Sequence, residues 1–312
     1  MICIGIDGGG TTTRAVVVRF SSTTLHILGS ASALSSNHYS VGLETATRHI
    51  AQAADEALQN ANLSRDEINA WGLGLAGACT HAEQQLWREQ LTETVGTARV
   101  VVDEDVAAAH SGAFASDNAQ CSGVVCIAGT GANSFGVDAE GRRARADGWG
   151  PLLGDRGSGY RIGEDALRAA CASHDNGFVG EKTRSPLLAR ILDHFGVDSI
   201  DALLPVVYAP SFTKDKIAAL VPVVAQCAHD GDQIARELLN NAGRDLAATC
   251  ASVMSSLKIH RVSPQGSILQ NVALVRRSFE DDLRSRFPNL EIVEARYDAV
   301  VGAALLAFYS AL

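Results

Sequence analysis

No two of the chain's seven cysteines are spaced as CxxC, and its nine histidines show no ligand-like pairing. In 312 residues that excludes a disulfide framework and a zinc site. It leaves Cys3, Cys79, Cys121, Cys126, Cys171, Cys227 and Cys250 as mostly small core residues. Positive charge is also short: 26 lysines and arginines face 35 acids, for a formal net charge of −9. The electrostatic footprint of a nucleic-acid or anionic-membrane binder is missing, so a small molecule is the expected partner. No apolar stretch reaches the roughly 20 residues that span a bilayer. The longest without a charge, residues 299–312, reads as a buried terminal helix. Asp7 interrupts the apolar N-terminus and no basic segment precedes it, which argues against a secretory signal and for the cytoplasm. Neither a G-x-x-x-x-G-K-[ST] loop nor an HRD or DFG triplet occurs, so phosphate binding would have to use other loops than those of P-loop enzymes and protein kinases.

What is present is glycine in short bursts. "CIGIDGGGTTTRAVVV" (3–18) and "VVCIAGTGANSFGV" (124–137) are each an apolar strand, a Gly/Thr turn and a second apolar strand, the pattern of a β-hairpin. Their recurrence predicts an internal duplication with a boundary between residues 112 and 122, hence domains 1–115 and 116–312. Between the two segments, Leu43, Thr47, Ile50, Ala54, Ala57 and Leu58 fall on one helical stripe. "INAWGLGLAG" reads as a strand, residues 83–95 as a helix and "ARVVVDED" as a further strand, an alternation that argues for an α/β fold. The second half is more helical. Ser185 is a candidate N-cap with Pro186 at the first helical position, and further helices are expected over 216–227 and 233–257, with Pro205, Pro210, Gly231 and Gly266 as punctuation.

Three glycines, Gly8, Gly9 and Gly10, then three threonines, Thr11, Thr12 and Thr13, directly follow a strand ending in Asp7. Bare glycine backbone lets N–H groups approach an anion closely, and hydroxyls add donors. An ordinary hairpin turn needs only one or two glycines, so the run favours phosphate, with Asp7 placed to orient a phosphate-bound Mg²⁺ through water. The second turn, Gly129, Thr130, Gly131, Ala132 and Asn133, repeats that chemistry without a carboxylate. "GLGLAG" (72–77) matches the dinucleotide fingerprint, but its glycines alternate with Trp71, Leu73 and Leu75 inside the available strand instead of opening a helix. Asp103, Glu104 and Asp105 follow "VVV"; three adjacent acids are usually a solvated loop. Asp105, however, precedes "VAAAH" and is expected at a helix N-cap, a rigid place for a general base. "DGWGPLLGDRGSGY" (147–160) carries Asp147, Asp155 and Arg156 beside Trp149. Ordering so much glycine costs entropy, which favours a substrate loop over a purely structural one.

Together, "GIDGGGTTTR", "SSNHY", "DEDVAAAHSGA", "IAGTGANSFG" and "DGWGPLLGDRGSGYRIG" resemble the N-acetylglucosamine kinase branch of the BadF/BadG/BcrA/BcrD ATPase family, within the sugar kinase/heat-shock chaperone/actin superfamily, over nearly the whole chain. The resemblance implies an α/β fold of two ribonuclease H-like domains, the actin-like ATPase fold, with ATP and sugar in the cleft between them. It implies a first phosphate loop at Gly8, Gly9, Gly10, Thr11 and Thr12, with Mg²⁺ near Asp7, and a second at Gly129, Thr130 and Gly131. Asp105 is the implied catalytic aspartate, and Asn37, His38, Asn133, Gly148, Trp149 and Asp155 are the implied sugar contacts. "PQGSILQN" is similar to the adenosine motif, with Gly266 and Ser267 approaching the base; Gln265 stands where many relatives carry a first glycine. "DAVVGAALLAF" resembles the terminal helix that closes the fold. The implied activity is ATP-dependent phosphorylation of the 6-hydroxyl of N-acetylglucosamine by a homodimer, with glucosamine or N-acetylmuramic acid as alternative substrates. Two rivals share the clamp. One is an activator ATPase for an iron–sulfur enzyme, for which Cys126 precedes the second turn but residues 148–163 supply no second thiolate. The other is a nucleotide switch like actin or the chaperones.

Overall fold

The computed structural model describes residues 1–21, 24–96, 99–115, 122–177 and 186–311. The chain divides into two compact units, residues 1–125, 137–142 and 294–312 forming the first and residues 126–136 and 143–293 the second. It begins with β1 (Ile2–Gly8), β2 (Thr12–Phe20), β3 (Leu25–Leu34), α1 (His38–Val41), α2 (Leu43–Ala61), β4 (Ala70–Leu75), α3 (His81–Val95), β5 (Arg99–Glu104) and α4 (Asp105–Ala113). Next come β6 (Gly123–Ala128), β7 (Ala132–Val137), β8 (Arg143–Asp147), α5 (Gly159–Gly177), α6 (Pro186–Phe195), α7 (Ile200–Val207), α8 (Lys214–Ala218), α9 (Val221–His229) and α10 (Gln233–Leu257). The chain ends with β9 (Arg261–Gln265), α11 (Gly266–Asn271), α12 (Ala273–Arg286), β10 (Glu291–Ile292) and α13 (Ala299–Tyr309).

One sheet has the strand order β3-β2-β1-β4-β5 and the other β10-β9-β6-β7-β8. Counted within its own sheet, each reads 3-2-1-4-5, so the topology recurs where the Gly/Thr segments recur. In the first, β1 to β3 run antiparallel, and β4 and β5 add in parallel on the other side of β1. Strands covered on both faces must be apolar throughout: Cys3, Ile4 and Ile6 of β1 and Trp71, Leu73 and Leu75 of β4 are all fully buried. One face packs on α2 through Ile50, Ala54, Ala57 and Leu58, as the stripe predicts. Ala46 and Ala53 complete that contact, while Leu43 and Thr47 stay half-buried. Thr80 caps α3 in a box, its hydroxyl accepting from the Glu83 N–H while Glu83 accepts from the Thr80 N–H at 2.8 Å.

The other face of that sheet takes α13. Val300, Val301, Ala304 and Leu305 pack on Cys3, Val16 and Val18, and Phe308 stacks on Phe20 at 4.4 Å. Where the sequence reading carries 116–312 as one domain, residues 294–312 belong with the first unit. The approach is backbone to backbone: a Cβ on Gly72 would overlap the Ala303 carbonyl, and one on Gly302 the Ala108 carbonyl. A Cβ on Gly74 would overlap the Ala108 methyl group. Gly72 and Gly74 of "GLGLAG" are thus spaces for two helices, and Gly77 holds a turn at φ +90°, which is why the three mimic a dinucleotide fingerprint.

The expected helix over 216–227 is two helices, α8 and α9. Pro222, in the first turn of α9, lacks an N–H and crowds the carbonyl four residues back, which ends α8. Pro186 opens α6 as expected, and Ser185 lies outside the described residues. Cys3, Cys126, Cys227 and Cys250 are buried, Cys171 half-buried and Cys79 exposed, and burial pushes the Cys3 thiol up to about 11. Cys121 lies outside the described residues. Among the described residues no helix is long and apolar enough to cross a membrane.

Candidate active site

In the first unit the turn between β1 and β2 is built by packing on one side and left open on the other. A Cβ on Gly8 would overlap the Ser36 hydroxyl, so only glycine fits there. The Gly9 N–H closes the turn on the Thr12 carbonyl at 3.0 Å, and the Gly9 carbonyl accepts from the Ser35 hydroxyl at 3.1 Å. A trans peptide points its C=O and N–H in opposite directions, so the Gly10 N–H faces away from Ser35. Gly10, Thr11 and Thr12 are exposed, and among the described residues nothing beyond its chain neighbours lies within 4 Å of the Gly10 Cβ position. Thr13, the third threonine, is buried and donates to the Leu34 carbonyl at 2.7 Å; its role is structural.

Asp7 enters this turn already paired. Its Oδ2 accepts from Arg14 at 2.7 Å, and Arg14 also reaches Asp298 at 2.9 Å. Burial pushes the Asp7 carboxyl above its ordinary value, and the Arg14 guanidinium pulls against that. Asp298 in turn caps α13, accepting from the Val301 N–H. Asn37 caps α1, its Oδ1 accepting from the Tyr39 N–H at 3.1 Å. His38 lies between Tyr39, with ring centroids 4.1 Å apart, and the edge of Trp87, and its Nδ1 is buried without a partner among the described residues.

The acidic triplet ends β5 and begins α4. Asp103 is buried and accepts from the Glu104 N–H. Asp105 is the first residue of α4, not its N-cap: the extended backbone a cap requires belongs to Glu104, with φ −64° and ψ 152°. Asp105 accepts from the Val106 N–H at 2.8 Å, which fixes the carboxylate at the positive end of the helix.

In the second unit the turn between β6 and β7 is sewn to α5. The Gly129 carbonyl accepts from the Gly159 N–H at 2.8 Å, and the Thr130 carbonyl from the Tyr160 N–H at 3.1 Å. These bonds satisfy the first donors of α5, and they turn the Thr130 and Gly131 N–H groups the opposite way. The Asp155 carboxylate sits against Gly131 and is buried to 8% exposure; burial pushes it above its ordinary value, and the nearby Ala132 and Gly150 N–H groups pull against that. Gly148 approaches the amide of Asn133 so closely that a Cβ would stand 2.7 Å from Nδ2, and the Asn133 Oδ1 is buried with no partner among the described residues. Gly131, Asn133, Gly148 and Asp155 therefore form one cluster. Trp149 stands at its margin, 62% exposed, with the Arg145 guanidinium 4.8 Å from its ring centre.

Gly266 opens α11 at φ +85°, its Cα pressed on the Ala128 backbone, and Ser267 is exposed. Gln265 is extended at φ −133°, a conformation open to any residue, so a glycine is not required there. Cys126 is buried in β6, with its sulfur toward the Leu246 carbonyl of α10. Sequence reasoning gave Asp147 no role of its own. In the structure it is buried beneath the loop that follows it.

Residues 4–307 match the BadF/BadG/BcrA/BcrD ATPase family. The chain is 30% identical to an N-acetylmuramic acid/N-acetylglucosamine kinase of Clostridium acetobutylicum over 97% of each chain. It is 31% identical to an N-acetyl-D-glucosamine kinase of Dictyostelium discoideum over 99% of this chain and 98% of that one. Its fold matches that of a candidate N-acetylglucosamine kinase of Chromobacterium violaceum with a TM-score of 0.76 at 27% identity, over 98% of both chains.

Proposed function

The chain belongs to the BadF/BadG/BcrA/BcrD ATPase family, and from that membership we propose that it transfers the γ-phosphoryl group of ATP to the 6-hydroxyl of an amino sugar, N-acetylglucosamine foremost. One observation carries the reading: outward N–H groups of a glycine turn stand beside a buried carboxylate and a buried amide oxygen that has no partner among the described residues. Anion donors and sugar acceptors are then neighbours. The Asn133 Oδ1 suits the N–H of an acetamido group, and Asp155 suits hydroxyl donors.

In this mechanism the Thr130 and Gly131 N–H groups bind phosphate oxygens, and the open tip at Gly10 and Thr11 offers the same chemistry. Asp105 accepts the hydroxyl proton as the new O–P bond forms. Phosphoryl transfer passes through a loose transition state, so alignment and charge stabilisation matter more than base strength. Mg²⁺ enters as part of the Mg·ATP substrate. Arg14 takes Oδ2 of Asp7, leaving Oδ1 for a water of the cation's shell, and a cation that keeps its waters and phosphate oxygens asks little more of the protein. Trp149 offers an apolar face to the sugar ring, and Asn37 and His38 complete the contacts. Gly266 and Ser267 receive the adenosine. The enzyme acts in the cytoplasm as a homodimer.

The test is ADP release from Mg·ATP with N-acetylglucosamine, N-acetylmuramic acid, glucosamine, N-acetylmannosamine and glucose. Turnover that depends on an amino sugar is expected; release of ADP regardless of sugar overturns the reading. In the same assay Asp105→Asn should lower kcat by about 10² to 10⁴ while sugar affinity stays within a few-fold. Near-normal turnover would remove Asp105 from the role of base.

A further inference from the structure

We propose that Asp147 is a positioning residue for the sugar loop, a single carboxylate that folds residues 148–156 and so fixes where Gly148, Trp149 and Asp155 stand. The functional half of this inference rests on the amino-sugar reading; the structural half does not.

Asp147 ends β8 and is 4% exposed. Its Oδ1 accepts from the Gly148 N–H at 2.9 Å and the Asp155 N–H at 2.7 Å, and its Oδ2 accepts from the Arg156 N–H at 2.9 Å. Both ends of the loop are therefore tied to one side chain. Gly154, just before Asp155, passes close as well, since a Cβ on it would overlap the Asp147 Oδ1. Among the described residues only four non-glycine positions have positive φ, and Asp147 at +68° and Asp155 at +56° are two of them. Such backbone persists only when its surroundings over-determine it, and three N–H bonds to one buried carboxylate do so here. The Arg156 guanidinium adds little, being 3.5 Å away on a side chain 56% exposed. The backbone bonds carry the work, and removing their acceptor would strand three inward donors.

What the staple positions follows from the neighbours. With the Asp155 N–H held by Asp147, the Asp155 carboxylate lies against Gly131. With the Gly148 N–H held, Gly148 lies against Asn133. Asp147 acts through these residues.

The experiment uses the full chain and two readouts. Amide hydrogen exchange is followed at Gly148, Asp155 and Arg156 without substrate, and KM for sugar and for Mg·ATP is measured separately. For Asp147→Ala we expect exchange at those amides to rise at least about tenfold with β1 and β4 unchanged, and sugar KM to rise about tenfold or more while KM for Mg·ATP stays within about twofold. Asp147→Asn should fall between, because its amide keeps one acceptor oxygen but presents a donor to the Arg156 N–H; it also serves if the alanine variant does not fold. Arg156→Gln should leave both constants within about threefold. Unchanged exchange overturns the inference, as does faster exchange with an unchanged sugar KM, or a rise of both KM values in step. Should the wild-type chain phosphorylate no sugar, the enzyme reading falls, and the staple is then judged on amide exchange alone.

Discussion

Asp155 is held against its own electrostatics. Burial pushes its carboxyl above the ordinary aspartate value and the neighbouring Asp147 adds to the shift, while the Ala132 N–H pulls it back without reversing it. A folded-state value above the unfolded one means that the group's contribution to stability is fully present below the ordinary carboxylate range. It is lost as pH rises through the raised value. Ionised Asp155 therefore weakens the fold at neutral pH, a pattern that belongs to sites where function opposes stability. Asp155→Asn should melt higher than the wild type at pH 7, by about 2 °C or more, with the gap closing toward pH 4, while sugar KM rises at least about tenfold. Melting curves across that pH range check it, and a gap that widens in acid would contradict it. Among single residues, the turn glycines were legible as a turn because local spacing announces it, and the start of α4 at Asp105 was legible to within one residue. Asp147 was not, because its meaning lies in N–H groups up to nine residues away that converge on it only after folding.

Among the elements, α13 shows what a pattern reveals and what it hides. Its uncharged run announces burial, but no property of that run names the sheet it covers. The partner could be read only from the other side, in glycines such as Gly72 of β4, and there "GLGLAG" invites a wrong interpretation because removing a side chain serves phosphate and helix backbone alike. Gly72→Val would drive a branched side chain into the Ala303 carbonyl. Overpacking of that kind typically costs about 1–3 kcal/mol, so a drop in melting temperature of roughly 2–10 °C is expected. Scanning calorimetry would measure it, and an unchanged transition would mean that α13 can shift aside. Pro222 was visible in the sequence, yet the helical pattern on either side of it hid the break between α8 and α9.

For the whole molecule, the duplication was the most legible feature. Two Gly/Thr segments led to two sheets with the same strand order, since a hairpin and the parallel strands beside it follow from apolar runs and turn residues. The partition of the chain was less legible, because membership in a unit is decided by packing between distant segments. The first unit takes its last helix from residues 294–312. A chain ending at residue 293 should lose the cooperative melting of the first unit while retaining the helical signal of the second, as circular dichroism and limited proteolysis would show; a first unit that still resists protease would refute this.

That helix also sets a clock on biosynthesis. The strands it covers are complete by Glu104, and about 190 further residues must be translated before it appears, which at about 5–20 residues per second leaves the nascent sheet bare on one face for roughly 10–40 s. The half of the protein that is made first is the half that is finished last, and over that interval chaperones, not its own C-terminus, must shield it.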